Sequence, residues 1–263
     1  MKALDDGSVL LLDSTYERIV VLTPQGSWKE AVPIPRPVSE WISWIDLVPL
    51  QDGRYLVLNC QGKLYLLEPG KPALEKFPDD NFDLESARFI AAGSSADDFF
   101  ISCPGYYYWA DIKGNVLGMV DHVLNYPAFY PEAHALFGVG EKNLSSSQGA
   151  ILVISFDDKG KNVRKIIWKK RNQNLTLQSL SVLNIEYSGS LWIVAAEGKT
   201  GNYEGMVRYV ARIDGNGKAS TTFAIPLSYE MNNNWKEDVI ANRKGNVYRF
   251  HTDDRNLYIV KYR

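Results

Sequence analysis

The chain has 263 residues, a formal net charge of -2, and 45% hydrophobic and 23% charged residues. This composition is ordinary for a globular protein, and the near-neutral charge excludes the basic surface expected of a nucleic-acid binder. No apolar stretch approaches the ~20 residues that a membrane helix requires. Two cysteines and three histidines are too few for a disulfide framework or a multi-histidine metal site. We therefore expect no cofactor, no bound metal, no nucleic-acid partner and no membrane span.

The first residues, MKALDDGSVLLLD, lack the long apolar run and the small-residue cleavage site of a signal peptide. Two localisations remain: a cytoplasmic protein, or an exported (periplasmic or extracellular) protein whose N-terminal part is missing from this sequence.

Repeated segments then follow along the chain. RIVVLTPQGSW, KLYLLEPGKPA, YYYWADIKGNV, ILVISFDDKGKN and YVARIDGNGKAS each read as a strand, a polar turn with glycine and a second strand. A second series lies earlier in each unit, in DDGSVLLLD, QDGRYLVLN, YSGSLWIVA and RKGNVYRFH. Glycine supplies the positive φ that such hairpin turns require. The segment IDGNGKAS, which resembles a calcium loop or a sialidase Asp-box, occupies the fifth place in the first series. We therefore predict that it is a turn and not a ligand site.

Four-stranded units that repeat at about 40 to 50 residues are typical of a β-propeller. We predict an all-β fold, a six-bladed β-propeller of four-stranded antiparallel blades, and one domain over 1–263. The predicted blades span approximately 1–36, 37–78, 79–121, 122–170, 171–226 and 227–263. The first and last blades are expected to be incomplete, because only MKAL stands where the first strand belongs and the last blade ends after three strands. A strand from upstream of this sequence is expected to close the open edge.

The segment GSVLLLDSTYERIVVLTPQG resembles the NHL type of propeller repeat, with Gly7, Asp13, Arg18 and Ile19 at the pattern positions. The match is good in blade 1, partial in blades 2, 5 and 6, and poor in blades 3 and 4. Proteins with this repeat include scaffolds, sensor domains and a few enzymes. The resemblance therefore implies architecture and leaves function open.

Binding in a propeller is expected where the connections between blades (D–A) and the loops between the second and third strands (B–C) share one face. GEKNLSSSQG (140–149) and EGKTGNYEG (197–205) are predicted as the longest B–C loops of this face. Interfaces favour Trp, Tyr and Arg, and several of these residues fall in or beside these connections. The predicted binding residues are Trp41, Trp44, Tyr126, Tyr130, Tyr203, Tyr229, Trp235, Arg36, Arg171, Glu40 and Glu237.

Three functions are compatible with this sequence. The first, which we favour, is a non-catalytic propeller that binds a protein, peptide or glycan through this face. The alternative is a six-bladed propeller enzyme, a lactonase-like metal-dependent hydrolase or a glycan-acting enzyme, with its site at the mouth of the channel. The third, compatible with the first, is the sensory or docking part of a larger protein. No catalytic or metal-binding residue is predicted.

Overall fold

The computed structural model describes residues 1–36, 43–78, 84, 87–93, 97–103, 105–121, 124–130, 135–157, 160–199, 202–225, 239–252 and 257–262. These residues form 23 β-strands and no helix. The strands make six antiparallel sheets, of which five have four strands and one has three. The prediction of an all-β, six-bladed β-propeller is confirmed, with each sheet forming one blade. The assignment of 1–263 to a single domain stays a prediction.

Unit 1, Met1–Val123, contains blades 1 to 3. In each blade the strands lie side by side in chain order. Blade 1 comprises β1 (Lys2–Ala3), β2 (Val9–Asp13), β3 (Arg18–Leu22) and β4 (Trp28–Pro33); blade 2 comprises β5 (Trp44–Pro49), β6 (Tyr55–Asn59), β7 (Leu64–Leu67) and β8 (Glu75–Lys76); and blade 3 comprises β9 (Phe89–Ala92), β10 (Asp98–Cys103), β11 (Tyr106–Asp111) and β12 (Val116–Asp121).

Unit 2, Leu124–Arg263, contains blades 4 to 6. Blade 4 comprises β13 (Asn125–Tyr130), β14 (Ala135–Leu144), β15 (Gln148–Asp157) and β16 (Gly160–Lys169); blade 5 comprises β17 (Thr176–Ile185), β18 (Leu191–Lys199), β19 (Asn202–Ile213) and β20 (Ala219–Ile225); and blade 6 comprises β21 (Val239–Ala241), β22 (Val247–Thr252) and β23 (Leu257–Tyr262).

The two terminal blades differ from one another. Blade 6 has three strands among the described residues, as the sequence predicts. Blade 1 has four strands, because Lys2 and Ala3 pair with Leu10 and Val9. The expectation that blade 1 is incomplete is therefore wrong in the number of strands, although β1 is only two residues long.

Neighbouring blades within each unit pack mainly through apolar side chains of their first, second and third strands. In unit 1, one buried cluster joins blades 1 and 2 and another joins blades 2 and 3. In unit 2, the corresponding clusters join blades 4 and 5 and blades 5 and 6. Full burial of one Leu, Ile or Phe side chain stabilises the fold by about 1.5–3 kcal/mol. The exposed large hydrophobic side chains of the described residues lie mostly in turns and in last strands.

The glycine turns repeat one geometry. In IDGNGKAS, the Asp214 carboxylate accepts hydrogen bonds from the backbone N–H groups of Asn216 (2.8 Å) and Lys218 (2.9 Å), and Gly217 has a φ of +81°. Asp111 and Asn242 accept the same pair of bonds in their own turns. The prediction that IDGNGKAS is a hairpin turn is confirmed, since its carboxylate is occupied by the turn itself.

The predicted long loops of blades 4 and 5 are instead extended hairpins. Strands β14 and β15 run to Leu144 and from Gln148, so that most of 140–149 is strand. Strands β18 and β19 likewise run to Lys199 and from Asn202. The polar composition of these segments suggested loops, but antiparallel pairing satisfies their backbone groups. The insertions therefore lengthen the blades.

Candidate functional site

Five of the predicted binding residues lie outside the described residues: Glu40, Trp41, Tyr229, Trp235 and Glu237. Two more are strand residues, Tyr126 in β13 and Tyr203 in β19. The geometry of the candidate surfaces therefore depends on the remaining four, Arg36, Trp44, Tyr130 and Arg171, and on neighbours that the sequence did not single out.

Trp44 belongs to the core. Its side chain is 3% exposed, and its ring meets the ring of Tyr65 edge to face at 5.7 Å. The residue begins β5 and does not lie in the preceding connection. The expectation that Trp44 lies on the binding surface is corrected here, because an indole at the first position of a buried strand contributes to packing.

Arg36 lies beside the B–C turn of blade 1. Its Nε is 2.5 Å from Oε1 of Glu17, and the carbonyl oxygen of Glu17 accepts a hydrogen bond of 2.7 Å from the N–H of Ile34. Glu17 has a φ of +50°, and no other non-glycine residue in the described part of the chain has a positive φ. Such a conformation is uncommon for a residue with a Cβ. The contacts to Ile34 and Arg36 hold the turn in this shape.

An exposed stack of aromatic and arginine side chains lies beside the same turn. The Arg18 guanidinium lies 4.9 Å from the ring centroid of Tyr16 and 5.6 Å from that of Trp28. Its Nε donates to Oδ2 of Asp13 at 2.9 Å, and the other Asp13 oxygen accepts from the N–H of Tyr16 at 3.1 Å. Tyr16 is 73% and Trp28 is 56% exposed. We call Tyr16, Arg18 and Trp28 the blade 1 stack.

Sequence reasoning missed Tyr16 and Trp28 as surface residues. The repeat pattern singles out Arg18, but it does not include Tyr16 or Trp28. Trp28 pairs with Leu22 across the hairpin and lies ten residues from Arg18, so no local spacing in the sequence indicates this cation–π contact.

In unit 2, Arg171 lies in the connection between blades 4 and 5. Its backbone N–H and that of Asn172 donate to the two carboxylate oxygens of Glu197, at 2.6 and 2.8 Å. Glu197 is fully buried, and the Arg171 side chain donates to Thr222 at 3.0 Å. These contacts make Arg171 an anchor of the connection, and the buried carboxylate is satisfied by backbone groups.

Tyr130 also lies in a stack of aromatic and arginine side chains. It is the last residue of β13, so it lies where the first strand of blade 4 meets the A–B turn and not at the predicted D–A end. Its hydroxyl donates to the carbonyl oxygen of Tyr187 at 3.1 Å. The Arg243 guanidinium lies 4.1 Å from the Tyr187 ring and 6.0 Å from the Tyr130 ring. Tyr187 and Arg243 belong to the A–B turns of blades 5 and 6, so the structure brings the end of β13 and these two turns of unit 2 together.

Glu186, the residue before Tyr187, has a buried carboxylate. The two oxygens of Glu186 accept bonds from Arg212, from Nε at 2.8 Å and from Nη2 at 2.6 Å. Trp192 Nε1 (2.8 Å) and the Ser188 hydroxyl (2.9 Å) also donate hydrogen bonds to this carboxylate. Burial raises the pKa of Glu186, and the hydrogen bonds from Arg212, Ser188 and Trp192 outweigh burial, so its pKa lies below the ordinary value. The Glu186 carboxylate is fully occupied and holds the turn in place.

The described residues contain neither a metal-binding cluster nor a membrane-spanning helix. No group of three or more His, Cys, Asp or Glu side chains in this part of the chain is placed to hold a metal ion. The same residues contain no helix that could cross a membrane.

Comparison with known proteins gives the fold alone. No protein-family model and no curated protein sequence matches the chain. Among solved structures, the chain is similar to virginiamycin B lyase from Staphylococcus aureus, with 16% identity and a TM-score of 0.51 over 98% of this chain and 81% of that one. It is also similar to a streptogramin B lyase, with 14% identity and a TM-score of 0.51 over 93% of this chain and 87% of that one. These similarities concern the β-propeller fold.

Proposed function

We propose that the chain is a non-catalytic binding propeller whose partner is a protein or peptide, and that the partner docks on the blade 1 stack. The single observation that carries this proposal is the exposure of Tyr16 and Trp28 on either side of Arg18. Trp, Tyr and Arg are the three residue types enriched at the energetic centres of protein interfaces. An exposed cluster of all three is the pattern that such a centre presents before its partner binds.

The turn that carries Tyr16 is preorganised. Asp13 fixes both the N–H of Tyr16 and the guanidinium of Arg18, and the Glu17–Arg36 pair supports the other side of the turn. A surface that is already ordered loses less conformational entropy on binding. This supports the blade 1 stack as a recognition surface. Arg36 is thereby assigned a positioning role.

The other predicted residues keep the status of predictions. Trp41, Tyr126, Tyr203, Tyr229 and Trp235, together with Glu40 and Glu237, are proposed as further contacts on the D–A/B–C face. The two lyases resemble this chain in fold alone, so their reaction gives no ground for assigning catalysis here.

The proposal is tested by selecting peptides from a display library on the immobilised chain and measuring their dissociation constants. Replacing Tyr16 and Trp28 together by alanine is expected to weaken binding by at least about 30-fold, the equivalent of ~2 kcal/mol at an interface centre. The matched control is Tyr258→Ala on β23, which removes another exposed tyrosine (44% exposed) and is expected to leave binding unchanged.

Two outcomes contradict the proposal. One is that the selected peptides bind the Tyr16→Ala/Trp28→Ala variant as tightly as the original chain. The other is that a glycan array run in parallel gives specific binders that need Tyr16 and Trp28 while no peptide does, in which case the surface recognises sugars.

A further inference from the structure

The last strand of blade 3 differs from the last strands of the other blades. Among the side chains of β12 that the structure describes, the exposed ones are Val116 (41%), Leu117 (46%) and Met119 (55%), and all three are apolar. By contrast, β4 contains Lys29 and Glu30, β8 is Glu75–Lys76, β16 contains four Lys or Arg residues, β20 exposes Ser220 and Thr221, and β23 contains Lys261. Charges and polar residues on edge strands are the usual protection against unwanted pairing. Between Val116 and Val120, β12 exposes no side chain of this kind.

The backbone of β12 is available on one side. Among the described residues, β12 pairs with β11 and lies at the edge of its sheet. Residues from Gly118 to Asp121 are in regular register with Tyr106 to Trp109, and a register shift at Leu117 precedes them. The N–H and C=O groups on the opposite side of β12 can therefore accept another strand. Tyr106, 42% exposed on the adjacent strand, enlarges the apolar surface at this edge.

We propose that β12 is a self-association edge, at which two copies of this chain pair antiparallel through their β12 strands. The sequence of the strand supports a second copy as the occupant. The apolar residues Val116, Leu117 and Met119 lie in the middle of the segment, with Lys113 before them and Asp121 after them. Antiparallel copies bring the Lys113 end of one strand beside the Asp121 end of the other, whereas parallel copies would place like charges together.

Two-fold pairing also explains why an unprotected edge is tolerated. An antiparallel pair of identical strands closes on itself and leaves no further edge for growth. In the resulting continuous sheet, the apolar side chains of the two copies lie beside one another across the new strand pair. A contact of one short strand buries less than a standard interface, so we expect a weak, concentration-dependent dimer.

The test measures the molar mass of the full chain by light scattering across micromolar concentrations. The original chain is expected to rise from the mass of one chain, 29.7 kDa, toward twice that value. The variant Leu117→Lys/Met119→Lys is expected to keep the mass of one chain throughout. The matched control is Ile167→Lys, which places a new lysine on the last strand of blade 4 at a side chain 39% exposed, and is expected to dimerise like the original.

Circular dichroism and thermal melting establish that each variant is folded. If the double variant lost its fold, Met119→Lys alone would repeat the test at the most exposed of the three positions. A constant single-chain mass for the original protein would overturn the proposal, as would dimerisation of the folded β12 variant. Loss of dimer in Ile167→Lys, or growth of the original chain into open-ended larger species, would also contradict two-fold pairing through β12.

Discussion

Replacing Arg212 by alanine is expected to lower the free energy of unfolding by about 3 kcal/mol, because it leaves a buried carboxylate without its cation. Arg212 makes two short bonds to Glu186, whose side chain is only 11% exposed. Trp192 and Ser188 can still donate to Glu186 in the variant, but neither supplies a compensating charge. The measurement is urea unfolding followed by tryptophan fluorescence.

The matched control for this variant is Arg54→Ala. Arg54 pairs with Asp52 at 2.7 Å, but both groups lie at the surface and the Asp52 side chain is 42% exposed. A surface ion pair contributes no more than about 1 kcal/mol. If Arg212→Ala lowered the free energy of unfolding as little as Arg54→Ala does, the ion pair of Glu186 with Arg212 would not stabilise blade 5 as proposed.

The same cluster predicts a dependence of stability on pH. The pKa of Glu186 is lowered in the folded chain relative to its ordinary value of 4.5, so the folded state favours the ionised carboxylate. This contribution is fully present above the unfolded pKa and is lost as the pH falls through the lower, folded pKa. The free energy of unfolding of Arg212→Ala should therefore fall less between about pH 7 and about pH 3 than that of the original chain. An equal or steeper fall would contradict the assignment.

The second large effect is expected from Gly217→Ala in the turn of IDGNGKAS. The φ of +81° costs about 1–2 kcal/mol for a residue with a Cβ. In addition, the new Cβ would lie 2.7 Å from the carbonyl oxygen of Ile167, a backbone atom of the neighbouring blade that cannot rotate away. Such overpacking adds about 1–3 kcal/mol. We expect a total loss of about 2–5 kcal/mol in the free energy of unfolding.

Gly26→Ala separates the two causes. Gly26 occupies the equivalent turn of blade 1 with nearly the same φ, +82°, but a Cβ there would meet no atom within 4 Å. Gly26→Ala should therefore lower the free energy of unfolding only by the cost of a positive φ, about 1–2 kcal/mol. If the two variants were equally stable, the close packing of the blade 5 turn against β16 would make no contribution to the cost of Gly217→Ala.

The architecture could be predicted because its signals are local. A turn glycine such as Gly217 must adopt positive φ wherever it occurs, so its recurrence marks hairpins without knowledge of the packing. The lengths of strands could not be predicted in the same way. The segments 140–149 and 197–205 are polar enough for loops, and only pairing with the neighbouring strand makes them extended hairpins.

The site was harder to predict because exposure is not a local property. Trp44 and Trp28 are both indoles at the first position of a strand, yet one is buried against Tyr65 and the other is solvent-exposed. The difference is that β5 is a first strand packed between blades and β4 is a last strand. Tyr130 was assigned to the wrong end of its strand because the sequence does not show where the D–A connection ends. The buried pairing of Glu186 with Arg212 joins residues 26 positions apart, which no local pattern reveals.

The measurement that tests the binding function most directly is photo-crosslinking in cells that produce this protein. The photoreactive residue p-benzoylphenylalanine is placed at position 16 in one variant and at position 258 in another. We predict a discrete crosslinked protein at position 16 that is lost when Trp28 is also replaced by alanine, and no such product at position 258. Equal products at the two positions, or a product at position 16 that does not depend on Trp28, would contradict the assignment of the blade 1 stack as the binding surface.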